Sequence, residues 1–503
     1  MKLRNAVILT LFVGLLIIGS VSASEDSLQN NLTVQTLDSD IHEMSIPQDT
    51  QNPFPDDEFI LSQAASSDDD IQAKSSQDSG DMFKSEMAGN ALAATDNEIK
   101  AAQDWKTFEV SDYKTLHSAL TTGEHDKVII NINSNIVLKN TNIVSDSIKK
   151  LIINGNGKTI DGNKKYHLVT RGDVTLKNIR MVNCYSSFGG AIKNEGKLEI
   201  INSKFEKNKA KYGAAIYNDR NLIIKNCIFN KNTATRSGGA ICNSGTLKIV
   251  KSTIKYNKAK DAGAIGNDKK LQIIGCKIYG NKGAVGAINN GGTLKITDTT
   301  IKSNKAGHVG IISNYKGKLS MSNSKIINNK AATKKGGYVI SSDKAKATIK
   351  HCTINSNSGL SSIYNDGTMT IDKTSISYNK AKVDTINTMN GKLTIRNSVL
   401  NKNFAKSGGG AITNYNSKVT LVKCTINKNK ANKEGGAIYN GARLIISHCK
   451  INKNKALKGG GAICNHGKIT IKNSKLLYNK PGGAKTIKNF NNGKTKRIKT
   501  KIK

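Results

Sequence analysis

Four arrangements of residues in this 503-residue sequence bear on chemistry: a pair of carboxylates, a set of cysteines, a series of asparagines and a series of lysines. Asp343 and Asp366 stand just after equivalent landmarks in successive repeats and are read as the one stacked acidic pair. Acid/base or calcium chemistry would need a third group or a poised base beside them, so they read as turn residues in place of Asn, and no catalytic residue is assigned. Six of the eight cysteines (Cys184, Cys227, Cys276, Cys352, Cys424 and Cys449) are read at one small-residue slot that Ser or Thr fills elsewhere. With no Cys-x-x-Cys and no His/Cys cluster in view, neither a metal site nor a cofactor is expected. Cys424 and Cys449, in adjacent repeats, are within reach of a disulfide, and the sequence leaves open whether they are bonded.

Asn208, Asn232, Asn257, Asn281, Asn304 and Asn329 open a series at one bend position, where left-handed backbone and repeat-to-repeat amide hydrogen bonds predict a structural ladder. Immediately after the ladder position come Lys209, Lys258, Lys282, Lys305, Lys330, Lys380, Lys430, Lys455 and Lys480. Ammonium groups stacked ~5 Å apart repel by roughly 1 kcal/mol per pair even in water, which predicts an anionic partner along them. An anionic wall or host polysaccharide fits, as does the chain's own acidic arm. Codon bias toward Lys and Asn remains the competing explanation of the series. Nucleic acid is not expected of an exported chain with one Trp and no aromatic stacking platform.

These residues are positioned by a repeat. A small residue, a large apolar residue two places on and Asn three later recur twelve times from Ser203 to Ser474, about every 25 residues. In phase with it runs Ala-Ile-x-Asn, as at Asn194, Asn218 and Asn243, and between the two lie alternating pairs such as Leu198/Ile200 and Leu247/Ile249. Three short strands in about 25 residues leave no room for a helix and too little chain for a propeller blade. The expected fold is all-β: a right-handed parallel β-helix of roughly sixteen coils, on the order of 75 Å long at ~4.8 Å per coil. The absence of Pro from Asp56 to Lys480 agrees, since a central strand needs every backbone donor. A capping helix is expected at about 111–122, with Ser111 as N-cap, before a first strand at Val128–Ile132. No comparable cover is visible at the far end.

Charge divides the rest. Lys2 and Arg4 precede an apolar stretch ending in Val21-Ser22-Ala23, which predicts a signal peptide over 1–23, export to the cell surface or beyond, and no membrane span after cleavage. Residues 24–104 carry 18 acids against 3 lysines and read as a disordered acidic arm. The formal net charge of +40 therefore conceals a strongly basic body. The β-helix is assigned to 105–490 and a basic tail to 491–503; the oligomeric state is not legible.

Gly-Gly-Ala-Ile at 189–192, 238–241, 409–412, 435–438 and 460–463, with Phe-x-x-Asn at 205–208 and 229–232, resembles the repeats of chlamydial polymorphic outer-membrane proteins. With a signal peptide, a Lys/Asn-rich body and no outer-membrane barrel, the chain is also similar to the adhesin-like surface proteins of methanogenic archaea. The resemblance spans about 125–490 and implies a pectin-lyase-like β-helix with an adhesive, non-enzymatic role. Neither an autotransporter barrel nor an immunoglobulin-like wall-binding module is found, so the usual attachment devices are missing. The alternative is a polysaccharide lyase or glycosidase acting on acidic glycans.

Overall fold

The computed structural model describes residues 104–332, 337–481, 485–491 and 493–503. The expected signal peptide and nearly all of the acidic arm lie outside the described residues. Within them the chain forms a parallel β-solenoid of about sixteen coils with a single short helix. Every strand pairing is parallel and joins one coil to the next, as between Leu198–Ile200 and Leu222–Ile224.

Each coil starts with a five-residue strand such as Asn221–Lys225, whose alternate residues Leu222 and Ile224 point inward and are buried. A strand of two or three residues follows, and sixteen of these form one sheet. Their central residues stack in an apolar column that includes Phe205, Phe229, Ile254, Ile278 and Ile301. The rings of Phe205 and Phe229 lie 5.0 Å apart and nearly parallel. The remaining face is in two pieces in many coils, as Lys209–Tyr212 and Ile216–Asn218, where a left-handed glycine, Gly213 in this coil, breaks it. Such coils hold four strand segments rather than the three expected. In other coils the break closes, and Ser358–Asp372 runs without interruption from the Gly-Gly face into the next. Strands of this kind merge two faces into one 34-stranded sheet.

The corners rest on left-handed backbone. Lys207, Lys231, Tyr256, Tyr378, Lys402, Lys428, Lys453 and Tyr478 have φ between 52° and 57°, and each stands just before a ladder Asn. No Val, Ile or Thr occupies a positive-φ position among the described residues, as expected where a branched Cβ would strain the turn. This corrects the expected role of the ladder asparagines: the preceding residue, not the Asn, is left-handed. At Gly189 and Gly238, with φ of 69° and 70°, a Cβ would run into the carbonyls of Ile192 and Ile241, so these glycines are sterically required.

The helix spans Tyr113–Thr121 and is capped by Asp112, whose side chain accepts from the Thr115 N–H at 2.8 Å. Ser111 is therefore not the cap. Leu116, Ala119 and Leu120 are buried and join the core. A strand not anticipated, Lys106–Val110, pairs ahead of Lys127–Ile132, so the first coil begins before the helix. At the other end the segment read as a tail continues the coil: Lys494–Ile498 pairs with Lys468–Lys472, and Lys501–Ile502 with Lys475–Leu476.

Candidate functional site

The lysines predicted to align do share one register. Lys258 pairs with Lys282, Lys282 with Lys305 and Lys305 with Lys330; Lys430 pairs with Lys455 and Lys455 with Lys480. Lys209 and Lys380 join through Thr233, Ser358 and Phe404 in the intervening coils. All nine side chains are exposed, and none has a carboxylate partner within 4.0 Å among the described residues. Between the left-handed corner residue and the exposed Lys sits the buried Asn, so the corner residue and the Lys flank each other on the surface. At Tyr256-Asn257-Lys258, Tyr378-Asn379-Lys380 and Tyr478-Asn479-Lys480 an exposed phenol stands beside the ammonium. An open depression of about 640 Å³ is lined by Lys453, Lys455, Tyr478 and Lys480.

A second basic column escaped the sequence reading. Lys392, Lys418, Arg443, Lys468 and Lys494 open the five-residue strands of five adjacent coils, in register and exposed. Its sequence signal is the basic residue that precedes the alternating apolar pair in the first four of these coils.

The asparagines form a continuous inner ladder. From Asn208 to Asn479, each Nδ2 donates to the Oδ1 of the Asn one coil on, at 2.9 to 3.1 Å, through eleven steps. Asn232, Asn257, Asn281, Asn304 and Asn329 each also donate to a carbonyl of the preceding coil, as Asn281 does to Ile254. A second ladder from Asn194 to Asn314 resumes from Asn414 to Asn489.

Asp343 and Asp366 pair in register, and near them the rings of Tyr338 and Tyr364 stack with centroids 4.8 Å apart. Burial, then the neighbouring Asp366, raises the Asp343 carboxyl above its ordinary range. They are not the sole carboxylate stack: Glu195 and Asp219, each just after a ladder Asn, also lie one coil apart, a pair the sequence reading overlooked. A third acid in these coils, Asp384, is fully buried and pushed up to about 7 by desolvation. It accepts hydrogen bonds from Thr413 Oγ1 and from Asn387 Nδ2. Asp384 shares the column of Tyr338 and Ser361, five strand positions from the Asp343/Asp366 column, or roughly 16 Å of extended chain. The three acids therefore do not converge on one point.

Cys227, Cys276, Cys352, Cys424 and Cys449 occupy the small-residue slot, where the side chain accepts the N–H of the preceding coil, as Cys449 Sγ does from Cys424. Cys184 does not: it stands at the head of the Asn ladder, and its N–H donates to Asn208 Oδ1 at 2.9 Å. All eight cysteines are free and buried, Cys424 and Cys449 included. The adjoining Cys449 sulfur and burial raise the Cys424 thiol. Burial also pushes Cys276 and Cys352 to about 11, which makes them packing groups rather than nucleophiles.

The expectation that no His/Cys cluster exists is corrected at one place. Cys464 Sγ lies 3.6 Å from Glu434 Oε2 and 3.7 Å from His466 Nε2. Glu434 is thirty residues upstream, and only coil stacking unites the three.

A family model for the right-handed β-helix region matches residues 337–495, and one for the Chlamydia polymorphic membrane protein repeat matches residues 226–244. No curated protein matches. Among solved structures, ORF18 of Geobacillus virus E2 is similar at 11% identity over 85% of this chain and 66% of that one, with a TM-score of 0.21. A PL6-family alginate lyase, AlyGC, is similar at 10% identity over 74% and 85%, with a TM-score of 0.22. The chain spans about two thirds of the viral protein's length. The family matches and the coil agree on a β-helix repeat protein. Among the described residues no helix is long and apolar enough to cross a membrane.

Proposed function

We propose that the protein is a secreted or cell-surface, adhesin-like β-helix, without enzymatic activity, that binds anionic polysaccharide along its basic columns. The observation that carries this reading is the register of the first column: unpaired ammonium groups repeat at the strand spacing of ~4.8 Å, a track for a regularly charged polymer. The Tyr-Asn-Lys corners support a sugar ligand, since an exposed ring offers an apolar face beside a cation. The polymorphic-membrane-protein repeat match and the resemblance to archaeal adhesin-like proteins support a surface role. Binding to an array of anionic and neutral glycans at low and physiological salt tests the proposal. Salt-sensitive retention of anionic glycans alone is the expected result, and salt-independent or absent binding refutes it.

The β-helix fold also serves polysaccharide lyases, and the Asp343/Asp366 pair beside two stacked tyrosines is the observation that favours that second reading. Release of unsaturated uronate, lost in the Asp343→Asn/Asp366→Asn double variant, would select it over the adhesin.

A further inference from the structure

Glu434, Cys464 and His466 bring three different metal-ligating atoms together, all within 4.8 Å of one another. Cys464 sits in the strand Ile463–Asn465, at the variable place in Ala-Ile-x-Asn, and pairs with Tyr439 on one side and Lys488 on the other. Asn465 next to it is held in the second amide ladder, donating to Asn489 at 2.8 Å. His466 follows, its N–H donating to Asn440 O at 2.8 Å. Its imidazole is clamped before any ligand arrives: it stacks on Phe490 at 4.9 Å and 4°, and leans on Tyr439 at 5.4 Å. Glu434 precedes the Gly435-Gly436 bend and reaches across from the neighbouring coil.

Around Cys464 Sγ the spacing is that of a coordination shell. Zinc–sulfur and zinc–nitrogen bonds of about 2.3 and 2.0–2.1 Å, at a tetrahedral angle, hold S and N or O about 3.6 Å apart. The separations of 3.6 and 3.7 Å around Cys464 Sγ match this edge length. Despite the basic composition, no Lys or Arg lies within 4.0 Å of the Glu434 carboxylate among the described residues. The ammonium of Lys488, in register with Cys464, sits over the Phe490 ring at 4.5 Å.

We propose that Glu434, Cys464 and His466 form a three-ligand site for one divalent transition-metal ion of the zinc class. Thiolate, imidazole and carboxylate together suit Zn²⁺ or Co²⁺ rather than Ca²⁺ or Mg²⁺, which take oxygen ligands. On binding, the hydrated ion sheds waters, Cys464 Sγ passes its proton to solvent as the metal–sulfur bond forms, and a water keeps the fourth position. The ion would pin adjacent coils near the C-terminal end, independently of any polysaccharide bound along the lysines.

The test uses the full chain, stripped with a chelator and titrated with Co²⁺, then Zn²⁺. One Co²⁺ per chain is expected, with thiolate-to-cobalt charge-transfer absorption that Zn²⁺ abolishes and Ca²⁺ does not. Cys464→Ser should remove that absorption. His466→Gln and the half-exposed Glu434→Gln should each weaken binding by more than the ~10–100-fold that loss of even an outer-shell partner costs. Cys449→Ser should leave binding unchanged. Substoichiometric binding without a charge-transfer band, or binding retained in a folded Cys464→Ser chain, overturns the proposal. Should Cys464→Ser fail to fold, retained affinity in folded Glu434→Gln and His466→Gln chains overturns it equally.

Discussion

At the scale of single residues, a buried amide in this fold serves two coils at once. Asn281 Oδ1 accepts from the N–H and Nδ2 of Asn257, while its own Nδ2 donates to Asn304 Oδ1 and Ile254 O. Asn281→Ala leaves several of these groups buried without partners, at ~1–3 kcal/mol each, so chemical denaturation should show a loss on the order of 3–5 kcal/mol. Asp384 makes the opposite kind of statement. Desolvation raises its carboxyl from 3.8 to about 7, so across that window the folded chain holds a proton that the unfolded chain has released. Stability from this group is therefore present at low pH and is lost as pH rises toward 7. Asp384→Asn should flatten the dependence of the melting temperature on pH between about 4 and 7 and raise it at the upper end. A variant with an unchanged pH profile would mean that Asp384 is ionised in the fold.

At the scale of the element, inward and outward positions alternate along the five-residue strands that carry the apolar pairs, such as Lys197–Ile201, Asn221–Lys225 and Thr246–Val250, and substitution should respect that. Ile254 is fully buried in the central column and Lys258 is exposed four residues on. Ile254→Asp strands a charge in the core and should cost several kcal/mol, as should Asp at Ile241 or Leu247, while Lys258→Asp should shift the denaturation midpoint little. Equal tolerance at both positions would contradict the assignment of faces. This alternation is also why the coil was legible in the sequence: Ile, Leu, Asn and Lys each recur at a fixed slot, and a slot seen twelve times needs no structure to define it. Legibility failed where a coil departs from that vocabulary. Cys184 was assigned to the wrong slot because its coil has Ile179 where the later ones have Ser, Thr or Cys. The last coil was missed because Thr495 and Arg497 stand in the places that Leu and Ile fill elsewhere. The Glu434–Cys464–His466 group was invisible because two of its members are a Cys-x-His pair, outside the Cys-x-x-Cys pattern searched for, and the third lies a coil away.

At the scale of the molecule, charge and connectivity decide behaviour. If the first column holds an anionic polymer, affinity should fall steeply between low and physiological salt. Changing Lys258, Lys282, Lys305 and Lys330 to Gln together should weaken binding while leaving the circular dichroism and melting temperature in place, since all four side chains are exposed. Removing residues 24–104, with 18 acids against 3 lysines, should strengthen binding if that segment competes for the same track. Binding that ignores salt and these four substitutions would leave codon bias as the account of the column.

The hydrogen bonds that join the strands all run from one coil to the next, which has a mechanical meaning. A pull on the two ends of the solenoid is carried through a series of identical joints, each spanning every face of one coil at once. Rupture should begin at an end and proceed one coil at a time, paying out about 25 residues, or ~85 Å of chain, per event. In an optical trap the extension curve should be a regular sawtooth of that step length. Such a solenoid is a brake that yields in instalments and can rewind when the load drops.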